Sequence, residues 1–344
     1  MNKGIITVKE KTRENSAGPK AKEDIETILT DSSFRKINFF INSKSKLQKF
    51  FVAKAKVSNT LQKDNSDEYV LQYPTYSKIV IKEILKYINK NNKRLIIIVH
   101  DVEALRREIN DKSYIEREIN TFNMADGLIV HNDLMLEWLK KHGVKKPMVS
   151  LEIFDYLSPH YELKRQFDKS ICFAGNLAKA NFLTKLRFNK VKLHVFGPNP
   201  AKKYNQNIIY DGQYTPEELP KHLKYDFGLV WDGDKVNECS GTFGRYTMYN
   251  NPHKVSLYLS SGMPVIIWGK AAMSRFIEEN DLGLTINSLN ELENKLSNLS
   301  EADYQQMLTN VNKISEKLHE GHFTKMAVKR IEDKLGKSSK VENL

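Results

Sequence analysis

A chain of 344 residues is longer than one hydrophobic core usually organises, so two domains are expected. Apolar residues at 40% and charged residues at 28% exclude a disordered or fibrous protein, and no apolar run approaches the roughly eighteen residues of a membrane-spanning helix. The formal charge of +12 suits any polyanion, from nucleic acid to lipid headgroups or a nucleotide diphosphate, but the basic residues are scattered and no zinc-finger, basic-zipper or RNA-binding aromatic pattern accompanies them, so no nucleic-acid partner is expected.

The first residues, Met1 to Val8, lack the long apolar segment and cleavage site of a signal peptide and read as a strand, which makes a cytoplasmic protein the expectation. Further strands are predicted at 36–41, 69–72, 94–99, 127–130 and 148–151, with helices at 21–29, 77–89, 114–123 and 133–142. The stretch 43–67 is polar and weakly patterned, an excursion with some helix in it. After Asp155-Tyr156-Leu157-Ser158-Pro159 a second alternating series begins. Its strands are predicted at 170–174, 192–196, 208–211, 227–231, 264–267 and 284–286, and its helices at 216–223, 254–261, 271–280, 289–299 and 301–320. Cys172 falls in one of these strands and Cys239 in a loop, too few for a disulfide framework and without metal-site spacing, as in a reducing compartment. Alternation of this kind predicts two doubly wound α/β halves in tandem, with ligands beyond the carboxyl ends of the strands and a cleft between the halves as the default site.

Three segments follow strand ends and could carry chemistry. His100-Asp101 comes after the most apolar strand of the first half. An acid there stands where a general base for an acceptor hydroxyl is needed; the other use of Asp101 is to cap a helix suggested over 102–109. In Phe173-Ala174-Gly175-Asn176-Leu177, Gly175 lets backbone approach a ligand, a following helix N-terminus can receive a diphosphate, and Lys179 can add charge. Phe196-Gly197-Pro198 reads as a turn. The third segment, 249–266, opens a helix with Asn251-Pro252-His253-Lys254 and closes it with Gly262 before a buried strand. A lysine is disfavoured at the positive end of a helix, and a bound diphosphate would remove the conflict at Lys254. Asp232-Gly233-Asp234 has the spacing of a metal-binding Asp-x-Asp element but comes late in the second half, and the histidines show no ligand spacing, so no metal or other cofactor is expected.

The segments 98–102, 173–176 and 251–266, in this order, resemble bacterial GT-B glycosyltransferases, the group of the accessory glucosyltransferases of serine-rich repeat adhesins and the related β-1,6-galactofuranosyltransferases. The resemblance runs over most of the chain. It implies two Rossmann-like doubly wound domains facing a cleft: an acceptor-binding domain over 1–157, a nucleotide-sugar domain over 158–325, and a helix near 327–335 in a segment, 326–344, that crosses back to the first. It further implies a UDP-sugar donor contacted by Asn176, Lys179, Tyr214 and Lys254, with Asn251 and Ser256 nearby, and a glycosylated protein or glycan acceptor near the 16–22 loop with Ser16, Tyr73, Asp101 and Arg106. Where Lys179 stands some relatives carry arginine, so a bidentate phosphate contact is given up and the charge kept. Many retaining GT-B enzymes carry a spaced pair of glutamates before the phosphate-binding helix; after Glu238 the matching position is Tyr246, which favours an inverting reaction with Asp101 as base. The expected activity is transfer of glucose or N-acetylglucosamine to a GlcNAc-modified serine-rich polypeptide. The alternatives are galactofuranose transfer in surface polysaccharide assembly and a non-catalytic companion of another transferase. Relatives suggest a homo-oligomer, as large as a tetramer, and any membrane attachment would be peripheral, at the inner face.

Overall fold

The computed structural model describes residues 1–10, 17–41, 46–107, 109–159 and 167–341. It separates into two compact units, Met1–Leu151 with Phe323–Leu344, and Glu152–His322.

In the first unit the chain runs β1 (Lys3–Glu10), α1 (Ala17–Asp31), β2 (Arg35–Ile41), α2 (Lys46–Asp64), β3 (Glu68–Tyr73), α3 (Lys78–Lys90), β4 (Arg94–Val99), α4 (Glu103–Arg106), α5 (Lys112–Phe122), β5 (Gly127–Val130), α6 (Asp133–Lys141) and β6 (Met148–Ser150). The six strands form one parallel sheet in the order β2-β1-β3-β4-β5-β6. Covered on both faces, such strands need side chains that tolerate burial everywhere, and in β4 Leu95 to Val99 are all buried. Side-chain caps start the helices that follow. Ser77, Asp111 and Asn132 accept hydrogen bonds from the amides of Val80, Tyr114 and Met135 at the openings of α3, α5 and α6.

The second unit repeats the plan with β7 (Ile171–Ala174), α7 (Phe182–Lys185), β8 (Leu193–Phe196), β9 (Ile208–Tyr210), β10 (Phe227–Val230), α8 (Gly241–Tyr246), α9 (His253–Ser260), β11 (Val265–Trp268), α10 (Ser274–Glu279), β12 (Gly283–Ile286), α11 (Leu292–Asn298) and α12 (Glu301–His319). Its parallel sheet has the order β12-β11-β10-β7-β8-β9. Among the described residues no helix is long and apolar enough to cross a membrane.

All twelve expected strands are present. Four expectations change. The weakly patterned excursion is a nineteen-residue helix, α2. The helix expected over 216–223 shrinks to a single 3-10 turn, Leu219–His222, because Pro220 in its middle has no amide to donate and blocks a second turn. The helix suggested over 102–109 is only α4. The expected 16–22 loop is helical from Ala17, with Pro19 in the first turn where its missing amide costs nothing; Ser16 lies outside the described residues.

The last helix, α13 (His322–Val341), docks on the first unit through polar contacts around a buried Ile331. Arg330 donates to the Ser150 carbonyl at 2.8 Å and Lys334 to that of Met148 at 3.1 Å. Lys3 of β1 meets both carboxylate oxygens of Glu332 at 2.7 Å. Glu68, at the start of β3 and fully buried, lies in the same cluster with Arg94 of β4 at 3.4 Å. Burial, reinforced by the neighbouring Glu332, pushes the Glu68 carboxyl up to about 7 from an ordinary 4.5, against the opposing pull of Lys3 and Arg94. The folded chain therefore holds this proton more tightly than the unfolded chain. Its contribution to stability is full below the ordinary value of 4.5 and is lost as pH rises to about 7. Glu68→Gln should flatten the fall in melting temperature across that window and raise it at pH 8 by roughly 2–6 °C. A variant that melts with the wild-type pH dependence in differential scanning calorimetry would contradict this account.

Candidate active site

In the second unit the chain leaves β7 toward β8 on one side and later returns to place β10 on the other. Between β7 and β10 lies the switch point of the sheet, and open parallel sheets bind ligands at the carboxyl ends of the strands there. Helix α9 is aimed at this point by one close contact. Tyr258 is fully buried and lies so tightly over Gly228 of β10 that a β-carbon on Gly228 would sit 2.2 Å from its ring. Its phenol oxygen also accepts from the Ala174 amide at 2.7 Å, at the end of β7.

The first turn of α9 accordingly holds Lys254 at the ends of both strands. The ammonium donates to the Trp231 carbonyl at 3.2 Å and to Asp232 Oδ1 at 3.0 Å, just past β10. It also lies 4.6 Å from the ring centroid of Phe173 in β7. Its side chain is 17% exposed. The cost of a lysine at a helix N-terminus is thus offset within the chain by Asp232, the first acid of the Asp-x-Asp spacing seen in the sequence.

The strand-to-turn segment after β7 lies alongside. Gly175 neighbours the Lys254 stem, and a β-carbon there would meet only ordinary contacts. The glycine that close approach requires is Gly197: its φ is +134°, and a β-carbon would sit 1.9 Å from the Gly175 carbonyl oxygen. Asn176 caps the short 3-10 turn Leu177–Lys179, its side-chain oxygen accepting from the Ala178 amide and the Asn199 amide group, both at 3.1 Å. Lys179 is exposed and stands 4.2 Å from the centroid of the Phe243 ring. Tyr214, following β9, stacks on His222 at 3.6 Å. Gly175, Asn176, Lys179 and Lys254 thus cluster about the end of β7, and Tyr214 stands farther along the same edge, beyond β8. Asn251 and Ser256 are placed differently. Both are buried and donate to the segment entering this unit, Asn251 to the Glu152 carbonyl at 3.0 Å and Ser256 to that of Phe154 at 2.7 Å.

In the first unit the matching edge carries a polar network. Gln72 of β3 donates to the Thr7 hydroxyl of β1 at 2.7 Å and to the Lys22 carbonyl at 3.0 Å, and its oxygen pairs with His100 Nε2 at 2.8 Å. His131 is buried, and desolvation pulls its imidazole down to about 4, so the ring is neutral at physiological pH. Its Nε2 lies 2.9 Å from the His100 carbonyl, which can only accept, so this nitrogen carries the proton. The turn after β4 is therefore pinned from two sides. Asp101 projects from it and pairs with Arg106 at 2.8 Å, with 20% of its side chain exposed. The N-cap of α4 is Val102, without a side-chain cap bond. Tyr73, expected on the acceptor side, directs its hydroxyl to Glu118 of α5 at 2.7 Å.

Two family models describe this chain. That of the glucosyltransferase 3-like N-terminal domain matches residues 3–153 and that of the glucosyltransferase 3-like C-terminal domain residues 171–331. The chain belongs to the glucosyltransferase 3-like family. It is 32% identical to the β-1,6-galactofuranosyltransferase WbbI of Escherichia coli over 79% of this chain and 81% of that one. To glucosyltransferase 3 of Streptococcus gordonii it is 28% identical, over 75% and 77%. The lipopolysaccharide outer core galactosyltransferase WaaB is similar in structure, with a TM-score of 0.59 at 12% identity, covering 98% of this chain and 100% of that one. A trehalose-6-phosphate structure from E. coli bound with UDP-2-fluoro glucose gives 0.61 at 10% identity, covering 96% and 99%. At such identities the likeness carries the fold, which is GT-B. This member of the glucosyltransferase 3-like family is a glycosyltransferase of the hexose-transferring class.

The Gly197 geometry yields a test of the strand-end crevice. Gly197→Ala should push the Gly175-Asn176 turn away from β8 and cost on the order of 1–3 kcal/mol of stability, read as a lower melting temperature by calorimetry. Gly175→Ala should be tolerated in the fold. The reverse ranking of the two variants in melting temperature would show that the turn is not held as described.

Proposed function

We propose that this chain transfers a hexose from a UDP-sugar to a carbohydrate-bearing acceptor, with inversion at the anomeric carbon and without a metal. The observation that carries the reading is the Lys254 ammonium at the β7/β10 switch point, in the first turn of α9 and already engaged with one anion, Asp232. A diphosphate offers more charge and more acceptor oxygens than a carboxylate, so it can take over the ammonium at the positive end of the helix. Lys179 adds a second positive charge near the same strand end.

In the proposed reaction the acceptor hydroxyl attacks the anomeric carbon from the face opposite UDP. The new glycosidic bond forms as the bond to the diphosphate oxygen breaks, Asp101 takes the hydroxyl proton, and UDP leaves with its added negative charge facing Lys254. Among the acids near the end of β4, Asp101 suits this role better than Glu118. Glu118 is 3% exposed and accepts from Tyr73 and two backbone amides, whereas Asp101 keeps a fifth of its side chain open.

For the donor, the name glucosyltransferase 3 carried by two relatives supports glucose; our reading of the rest is glucose or N-acetylglucosamine passed to a GlcNAc-modified serine-rich polypeptide, inside the cell and in a homo-oligomer. The 32% identity to a β-1,6-galactofuranosyltransferase supports a second reading, galactofuranose passed to a glycan. Incubation with UDP-glucose, UDP-N-acetylglucosamine and UDP-galactofuranose, each with a GlcNAc-peptide and an oligosaccharide acceptor, separates them by product mass. Turnover should survive a chelator. Lys254→Ala should weaken UDP binding by roughly 10- to 100-fold, the loss of charge-assisted hydrogen bonds worth about 1.5–3 kcal/mol. Asp101→Asn should lower kcat by about 100-fold or more while UDP affinity is unchanged. A wild-type chain that binds UDP but releases none from any donor with any acceptor would overturn the proposal.

A further inference from the structure

Glu118 belongs to none of the roles assigned above, yet both its carboxylate oxygens are engaged at the first unit's strand-end edge. It sits on α5, with 3% exposure. One carboxylate oxygen accepts from the Tyr73 hydroxyl at 2.7 Å and from the Glu103 amide at 3.0 Å; the other accepts from the Ala104 amide at 2.7 Å. Glu103 and Ala104 are the first two residues of α4, whose own N-cap, Val102, supplies no side-chain cap. The missing cap is thus delivered from a different helix.

A four-residue helix has too few internal bonds to hold itself, and α4 matters because its last residue is Arg106, which pairs with Asp101 at 2.8 Å and bridges to Glu103. The same carboxylate fixes Tyr73 at the end of β3, whose ring also meets Phe122 of α5 edge-on at 5.0 Å. Burial raises the Glu118 carboxyl above its ordinary value while the three donors pull the other way. A group retained against that desolvation has its bonding capacity filled by the ends of two strand-following segments, which is a means of setting their geometry.

We propose that Glu118 is a positioning residue for the transfer reaction, holding α4 so that Arg106 orients Asp101, with Tyr73 as its second anchor. The inference rests on the assignment of Asp101 as base. Glutamine at position 118 has the shape of glutamate but turns one acceptor oxygen into a donor, leaving an amide of α4 or the Tyr73 hydroxyl without its partner. Tyr73→Phe removes one hydrogen bond and keeps the ring contact with Phe122.

Steady-state kinetics on the full chain, with the donor and acceptor that turn over, tests this. Glu118→Gln should lower kcat about 10- to 100-fold and Tyr73→Phe about 3- to 10-fold, with acceptor KM and the UDP dissociation constant within twofold of wild type. A purely structural role would instead lower melting temperature and acceptor binding together with kcat. Either that pattern in both variants, or wild-type kcat in both, overturns the proposal. Asp101→Asn measured alongside separates the two ideas. If it is inactive while Glu118→Gln works at full rate, the positioning role alone falls; if it works at full rate, the base assignment falls and takes the positioning role with it.

Discussion

The second unit depends on the seating of Tyr258 over Gly228. A tyrosine ring can lie directly on a strand only where that strand has no side chain, and its phenol oxygen then reaches the Ala174 amide of the adjacent strand. One residue therefore fixes the height and rotation of α9 over the β7/β10 boundary. With residue 258 facing the sheet, residue 254 lies one turn earlier on the same side of the helix, which brings Lys254 to the strand ends. There the ammonium gives up some hydration and gains a carboxylate, a carbonyl and an aromatic face. A cation–π contact of this kind is worth about 0.5–2 kcal/mol, comparable to the cost of placing a positive charge at a helix N-terminus, typically 0.3–1 kcal/mol. The lysine is held in a defined place at little net cost, the preorganisation that the role proposed for it toward a leaving diphosphate would call for.

The first unit meets a similar demand differently. No lysine at a helix start is involved; the turn after β4 is pinned through a neutral His131, a Gln72 that bridges β1 and β3, and the trans cap from Glu118. Each has few alternatives once buried, because an unpaired polar group there costs about 1–3 kcal/mol. Such a network rigidifies the backbone that carries Asp101 while leaving the acid partly open to solvent.

Much of this was legible in the sequence because parallel strands buried on both faces leave a continuous apolar signature, and runs such as Leu95 to Val99 or Val265 to Trp268 have no other economical use. Ends of helices were less legible. Pro220 interrupts the helix expected over 216–223, and α2 is longer than the partial helix expected of 43–67 because lysines dilute its apolar spacing. Gly175, Asn176, Lys179 and Lys254 stand out in the sequence by position relative to strand ends, and the structure places them about the end of β7. Asp232 stands out in the sequence only as part of an Asp-x-Asp element and Glu118 not at all, since their partners Lys254 and Ala104 lie 22 and 14 residues away along the chain and only packing brings them near. Gly197 was undervalued for the same reason: a turn glycine and a glycine against a carbonyl read alike until the neighbouring strand is in place.

Asn251, Ser256 and Tyr73 share a further lesson. Each is a residue for which the resemblance implies a place beside a substrate, and each directs its polar group to the chain itself: Asn251 and Ser256 to the 152–154 segment, Tyr73 to Glu118. A residue spaced like a ligand contact can belong to a motif because it holds the backbone that makes the contact. In α9 Tyr258 faces the sheet with Lys254 one turn earlier on the same side, whereas Ser256, two residues from Tyr258, reaches the 152–154 segment from the opposite face. The division follows from burial: Ser256 at 1% exposure has its hydroxyl committed to a carbonyl, while Lys254 keeps a flexible stem and 17% of its side chain exposed, as the exchange of anions proposed for it requires.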